Sequence, residues 1–172
     1  MQTSYPTQPN AGKLGQLTDA SDHDIVSRYS AAKIPFGRFV SFDTTSGKVK
    51  LPAAATDIIN STSYAVSEGI ALENPSKECT DENTLGVAGA NAAAHDIGDA
   101  IPVLKRGRCF VYTEQAVGPT DAVYVRYTAS GNNVVGNFRK DDDTSKAASL
   151  GENARFVGTT TGAGLVEIDI RL

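Results

Sequence analysis

The closing residues LVEIDIRL carry the cleanest alternation in the chain. Val166, Ile168, Ile170 and Leu172 interleave with Glu167, Asp169 and Arg171. Successive side chains of a strand point to opposite faces, so this period of two predicts a strand buried on one side. A hairpin is predicted over residues 34–51, with Val40 and Phe42 on one face and Phe39, Ser41 and Asp43 on the other. Its turn is Thr44-Thr45-Ser46-Gly47, and Pro52 ends the return strand Lys48–Leu51. Tyr64 to Glu73 reads as a further strand, with Gly69 marking a bulge or a close backbone approach. Between these lies a small, polar loop with a short turn near residues 54–58. Ile25 to Ala32 lacks clean alternation, and Asp24 before it predicts one or two capped helical turns.

Residues 98–128 repeat one device. Gly98-Asp99 and Gly118-Pro119-Thr120-Asp121 each place a glycine turn and an aspartate before an apolar run. An aspartate can accept hydrogen bonds from its own turn, so both read as strand-initiating turns. Lys105-Arg106-Gly107-Arg108 is expected to be a basic turn between two strands. Further on, the pattern predicts a turn at Gly131-Asn132-Asn133 and a short strand at Val134-Val135. Phe138-Arg139-Lys140 then leads into Asp141-Asp142-Asp143, and another strand starts at Arg155. At least seven short strands without a long helix predict an all-β fold. The expected form is an antiparallel β-sandwich or a jelly-roll-like barrel. Residues 1–24 hold Pro6, Pro9, Gly12, Gly15 and many polar side chains, and are expected to form an extended N-terminal arm. Residues 25–172 then make one domain, with a surface excursion at about residues 74–95.

Composition narrows the function classes. A net charge of −4 argues against binding nucleic acid through bulk phosphate neutralisation. No apolar run reaches the roughly 18 residues of a membrane span, and no apolar block follows Lys13 as a secretory signal requires. Cys79 and Cys109 are therefore expected as reduced thiols. With His23 and His95 they form no recognised zinc spacing, so no metal or other cofactor is expected.

Asp141-Asp142-Asp143 reads as a solvated charged turn, because three consecutive carboxylates do not converge on one cation. Arg106 and Arg108, followed by Phe110 and Tyr112, have the interleaving of a single-strand nucleic-acid grip. In so short a cluster on an acidic chain, contact with a protein surface is the better reading. His23 and His95 have acidic neighbours but no nucleophile motif nearby, and no phosphate loop occurs, so no catalytic residue is assigned.

The blocks AGKLGQLTDASDHDIVSRYSA, IPFGRFVSF, SGKVKLP, EGIALEN, IGDAIPVLKRGRCFV, VGPTDAVYVRY, GNFRKD, ARFVGTT and LVEIDI resemble, in this order, the capsid cement (decoration) proteins of tailed phages. The resemblance spans about residue 11 to the C-terminus; residues 74–95 depart from it in being Ala/Gly-rich. It implies a protein assembled in the host cytoplasm onto the outer surface of an icosahedral head. There it would bridge copies of the major capsid protein and stabilise the expanded shell without any chemical step. It further implies a homo-oligomer, a trimer ahead of a dimer. Tyr5, Pro6, Leu14, Gln16 and Leu17 in the arm are the capsid-contact candidates. For self-association or other protein contact the candidates are Phe39, Arg106, Arg108, Phe110, Tyr112 and Tyr124, with Tyr127 as a further aromatic. More than half of the aromatics among them are expected to be core. Two readings compete: a virion-surface β-domain binding host glycan or receptor, and an enzyme whose site is assembled in space.

Overall fold

One strand, β7 (Ala100–Thr113), is the spine of the molecule. The computed structural model describes residues 12–18, 22–58, 66–76 and 93–172. Before the spine come β1 (Asp24–Tyr29), β2 (Ile34–Pro35), β3 (Phe39–Asp43), β4 (Lys48–Lys50), β5 (Ser67–Ala71) and β6 (Ala94–His95). After it come β8 (Tyr124–Arg126), β9 (Phe138–Arg139), β10 (Ala147–Ser149), β11 (Ala154–Phe156) and β12 (Gly164–Arg171). Among the described residues, ten strands form one sheet and β2 pairs with β6 in a small ribbon. The pairings are antiparallel except β7 with β9, which meet in parallel at Thr113 and Phe138. Among the described residues the fold is all-β and sandwich-like, with a large mixed sheet that does not close into a barrel.

β7 is paired on both edges along most of its length. Val103 and Leu104 lie between β1 and β5. Cys109 lies between Ile168 of β12 and Leu17 of the N-terminal segment. The expected basic turn at Lys105–Arg108 is instead part of this continuous strand, carrying a bulge. Asp24 pairs with Arg106 and Ile25 with Leu104, which leaves Lys105 as the extra residue. One inserted residue exchanges the two faces of a strand. Ahead of the bulge, Ile101 and Val103 join a small cluster with Ile34, Val40, Val49 and Ala71. Beyond it, Cys109 and Val111 join Leu104 in the main core.

That main core also takes Phe39, Ile70, Leu72, Val123, Val125, Phe138, Leu150 and Phe156, with Val166, Ile168 and Ile170 from β12. The alternation of the last strand thus becomes one buried face, with Leu172 packed against it. The β3–β4 hairpin forms as its pattern predicts, Phe42 opposite Val49 and Asp43 opposite Lys48. β5 carries its own bulge, because Val40 pairs with Gly69 and Ser41 with Ser67. Gly69 has φ +144°, and a Cβ there would stand 2.1 Å from the Leu104 carbonyl oxygen, so only glycine fits. Glu68, the residue bulged out beside it, is buried and pairs with Arg28 of β1 at 2.6 Å. Lys105 Nζ lies 3.9 Å from the same carboxylate.

Both strand-initiating turns form. Gly118 N–H donates to Asp121 Oδ2 at 2.9 Å, and Asp96 N–H donates to Asp99 Oδ2 at 2.8 Å. Two local expectations are corrected. Residues 25–29 are strand rather than helical turns, since pairing with β7 outweighs a short run's weak local preference. Val134-Val135 is not a strand; it sits between the Ser130–Asn133 bridge and a turn at Gly136. Tyr64, Cys79 and most of the 74–95 excursion lie outside the described residues.

Candidate functional site

The expected arm does not stand clear of the body at residues 12–18. Gly15 N–H donates to the Phe110 carbonyl at 2.8 Å, Phe110 N–H to Gln16 O at 3.0 Å, and Thr18 N–H to Arg108 O at 3.1 Å. Glu73 N–H donates to Gly15 O at 3.0 Å, tying the segment to the end of β5 as well. Leu14 is buried, and Leu17 packs against the main core. Leu14 is therefore spent on the chain's own fold, because an apolar side chain beside an open sheet edge buries itself there first, whereas Leu17 is half-buried. Gln16 is half-buried, and its Oε1 accepts from Lys13 N–H. Tyr5 and Pro6 lie outside the described residues.

Phe39 is also corrected: it has no exposed surface, and its ring is core. Phe110, Tyr112 and Tyr124 are half-buried, and Gly12 lies directly against the Phe110 ring. Tyr127 is half-buried and donates its hydroxyl to Ser145 O at 2.5 Å. The exposed large apolar side chains among the described residues are others, namely Ile25, Tyr29 and Ile97. The chain neighbours of Tyr29 and Ile97 are joined, Ser30 N–H donating to Asp99 O at 3.0 Å and Gly98 N–H to Ser30 O at 3.0 Å.

A buried ionic cluster is the feature that pattern reading missed. Arg126 on β8 has no exposed side-chain surface, and the Glu114 side chain is 2% exposed. Arg126 donates to Glu114 through Nε at 2.7 Å and Nη2 at 2.8 Å. Its Nη2 also reaches Asp143 Oδ2 at 2.6 Å, and its Nη1 donates to Thr128 O at 3.0 Å. Arg139 on β9 adds contacts to Glu114 at 3.1 Å, Asp143 at 3.0 Å and Asp141 at 2.5 Å. Arg38 is buried nearby, and its Nη1 has no hydrogen-bond partner among the described residues. Burial lowers the Arg38 guanidinium to about 10, against the opposing pull of Glu114. For Arg126, bonds to Glu114 and Asp143 outweigh burial and raise its pKa.

The cluster holds an unusual turn. Asp143, Thr144 and Ser145 have φ of 46°, 56° and 62°, three successive left-handed residues without a glycine. Such backbone costs about 1–2 kcal/mol per residue and persists only where surroundings impose it. Here Arg126 and Arg139 grip Asp143, Tyr127 holds Ser145, and Asp142 O accepts from Lys146 N–H at 2.8 Å. Asp141 and Asp143 are thus tethered, not freely solvated as the charged-turn reading expects. Burial of Asp141 is outweighed by bonds from Gln115 and Arg139, and its carboxyl is held below the usual range. The Arg126 hydrogen bond does the same for Asp143. A usable signal does lie in the sequence. FGRFV, VYVRY and NFRKD each bring an arginine beside aromatic or apolar neighbours; the last two supply Arg126 and Arg139 to the cluster, and the first places Arg38 near it.

The basic residues of β7 divide. Arg106 pairs with Asp22 at 2.7 Å. Arg108 lies 3.9 Å from Asp169, a buried carboxylate of β12 that also meets Arg155 and Arg171. Neither histidine is set up as a base beside a nucleophile. His95 is fully buried, its Nε2 lies 2.8 Å from the Leu72 carbonyl, and its ring tilts against Phe36. His23 is exposed, its Cβ beside Gly107. Cys109 is buried, and burial pushes its thiol well above its ordinary value. Among the described residues no three His, Cys, Asp or Glu side chains converge as metal ligands.

Buried charges thus tie the strands together, and the same arginines hold a strained turn from beneath. Residues 1–171 match the phage cement family, described as structural cement protein (E217 gp24/Pam3 gp6), and the chain belongs to that family. A sequence comparison with curated proteins returns no match. A chain in the solved structure "The capsid of Myoviridae Phage XM1" shares the fold, with a TM-score of 0.66 and 17% identity over 99% of this chain and 97% of that one.

Proposed function

We propose that the protein binds the outer surface of an icosahedral phage head and bridges neighbouring copies of the major capsid protein. It thereby stabilises the expanded shell against the pressure of packaged DNA, with no chemical step. The observation that carries this reading is membership of the structural cement family over residues 1–171. A ligand that binds only one state of a lattice stabilises that state by mass action, about 2.7 kcal/mol per site at a hundred-fold excess over Kd. Repeated over every site of a shell, modest contacts accumulate. A homo-oligomer, a trimer in this proposal, gains further by presenting linked contacts at high effective concentration. Residues ahead of Gly12 are offered as the arm that reaches the capsid, since residues 15–18 are bonded to β7.

The test compares heads made with and without this protein. Heads lacking it are expected to rupture at lower temperature and under milder osmotic shock, and adding the purified chain back restores robustness at fixed stoichiometry. Equal robustness of the two particles sinks the proposal.

A further inference from the structure

β1 presents an open sheet edge. Its six residues pair with β7 on one side. Ser30 N–H donates to Asp99 O at 3.0 Å, so alternation turns the backbone groups of Val26 and Arg28 toward β7 and those of Ile25 and Ser27 outward. β4 closes the outer edge only beyond Arg28, where Val49 bridges Ser30 and accepts from Ala31 N–H at 2.8 Å. Among the described residues the outward groups of Ile25 and Ser27 meet one long contact, 3.4 Å from Arg28 Nη1 to Ser27 O. Proteins blunt such edges by keeping them short or by placing lysine or proline on them. β4, β10 and β11 are three residues each, and β4 carries Lys48 and Lys50. β1 is longer and carries neither lysine nor proline.

We infer that β1 pairs antiparallel with β1 of a second copy across a two-fold axis at Val26. In this register Ile25 exchanges both backbone hydrogen bonds with Ser27 of the second copy, and Ser27 does the same with Ile25 of the second copy, so every outward group of the two residues is satisfied. Charge selects the register. It sets Asp24 opposite Arg28 of the second copy, and symmetry repeats the pair. Arg28 and Lys105 share the one carboxylate of Glu68, which leaves +1 there, and Asp24 of the second copy brings that site to zero. Asp24 is exposed and has no ion pair among the described residues, because Arg106 opposite it is taken by Asp22. Moving the axis to Ser27 would set Asp24 against Ser30, where β4 already lies. Val26 is half-buried at the rim of the small cluster with Phe42 and Leu51, and pairing extends that cluster across the axis. Ile25, exposed in the single chain, then packs beside Ser27 of the second copy. The match reads the same from either chain, which singles out a second copy over an unrelated strand. The contact goes beyond the cement reading and does not depend on it. Being isologous it closes on two copies, so it either makes a dimer or joins the proposed trimers in pairs.

The experiment uses the purified full-length chain without shells. In a Cys79→Ser background, mild oxidation of Val26→Cys is expected to link two chains in nearly all of the protein. Opposed residues of a non-hydrogen-bonded pair have Cα atoms about 4.5 Å apart, within reach of a disulfide. Ser46→Cys in the same background, exposed in the β3–β4 turn, should stay largely unlinked. Light scattering of wild type should give an even number of copies. Ser27→Pro removes an outward N–H with no partner among the described residues, so it should keep the strand signal in circular dichroism and halve the mass. Asp24→Arg, which guards against a local defect from proline, should weaken pairing at least about ten-fold, because both cross-strand ion pairs become repulsive. Absence of a linked pair from Val26→Cys, or an equal yield from Ser46→Cys, overturns the inference. So does a wild-type mass of one or three copies, and so does a mass that Ser27→Pro and Asp24→Arg both leave unchanged.

Discussion

Replacing Glu114 by glutamine removes one negative charge from beneath the 143–145 turn while nearly preserving the side chain's shape. In the native protein this carboxylate accepts from Arg126 at 2.7 and 2.8 Å and from Arg139 at 3.1 Å. Its side chain is 2% exposed, against 0% for Arg126 and 9% for Arg139. The variant leaves two buried guanidiniums with only Asp141 and Asp143, which are 50% and 29% exposed. Removing one partner of a buried ion pair costs about 3–5 kcal/mol, because the remaining charge stays desolvated and uncompensated. For a domain of this size each kcal/mol moves the melting temperature by about 2–4 °C, so a drop of roughly 6–20 °C is expected. Thermal and urea unfolding followed by circular dichroism measure it, and agreement between the two checks two-state behaviour. Amide exchange at residues 141–147 should quicken together with the loss of stability. A change below about 1 kcal/mol would mean that the cluster is solvated, and the argument from buried charge would fail.

Acid should act on the same turn. Asp141 and Asp143 have folded pKa values below the ordinary 3.8, so the stability they contribute is complete above that value and disappears as pH falls through the lower folded values. Melting temperature measured from about pH 5 down to pH 2 should fall less steeply in Asp143→Asn than in wild type; parallel curves would contradict the assignment. Thr144→Gly should stabilise by about 0.5–1 kcal/mol, since relief of left-handed strain exceeds the added entropy of the unfolded chain. A loss of stability in urea melts would show that the strain is not there. Deleting residues 2–11 should leave the melting temperature almost unchanged. Deleting residues 2–18 should cost about 2–4 kcal/mol, from the burial of Leu14 and the partial burial of Leu17 alone. If both deletions melt alike, the docked segment contributes nothing to the fold.

The residues most legible in the sequence were those whose role is set by immediate neighbours. Val166, Ile168 and Ile170 alternate with charged residues, and that alternation survives as a buried face. The turn aspartates Asp99 and Asp121 likewise act on backbone only three residues away. Surface assignment was harder. Phe39 looked available for contact and is core, while the exposed Tyr29 and Ile97 gave no local signal. Whether an aromatic faces water depends on what the opposite strand places over it.

The sequence by itself determined the all-β class, the hairpin at β3–β4, the half-buried last strand and the cement-family resemblance. Each rests on a period of two, on turn chemistry within four residues, or on ordered blocks of residues. Tertiary structure alone decided the rest. A bulge at Lys105 exchanges the faces of β7, so Leu104 and Cys109 serve one core. Arg126 meets a carboxylate twelve residues away at Glu114, and Arg108, Arg155 and Arg171 share Asp169. Charges pair through space, and the energy of such a pair depends on burial and distance, neither of which a local pattern along the chain records.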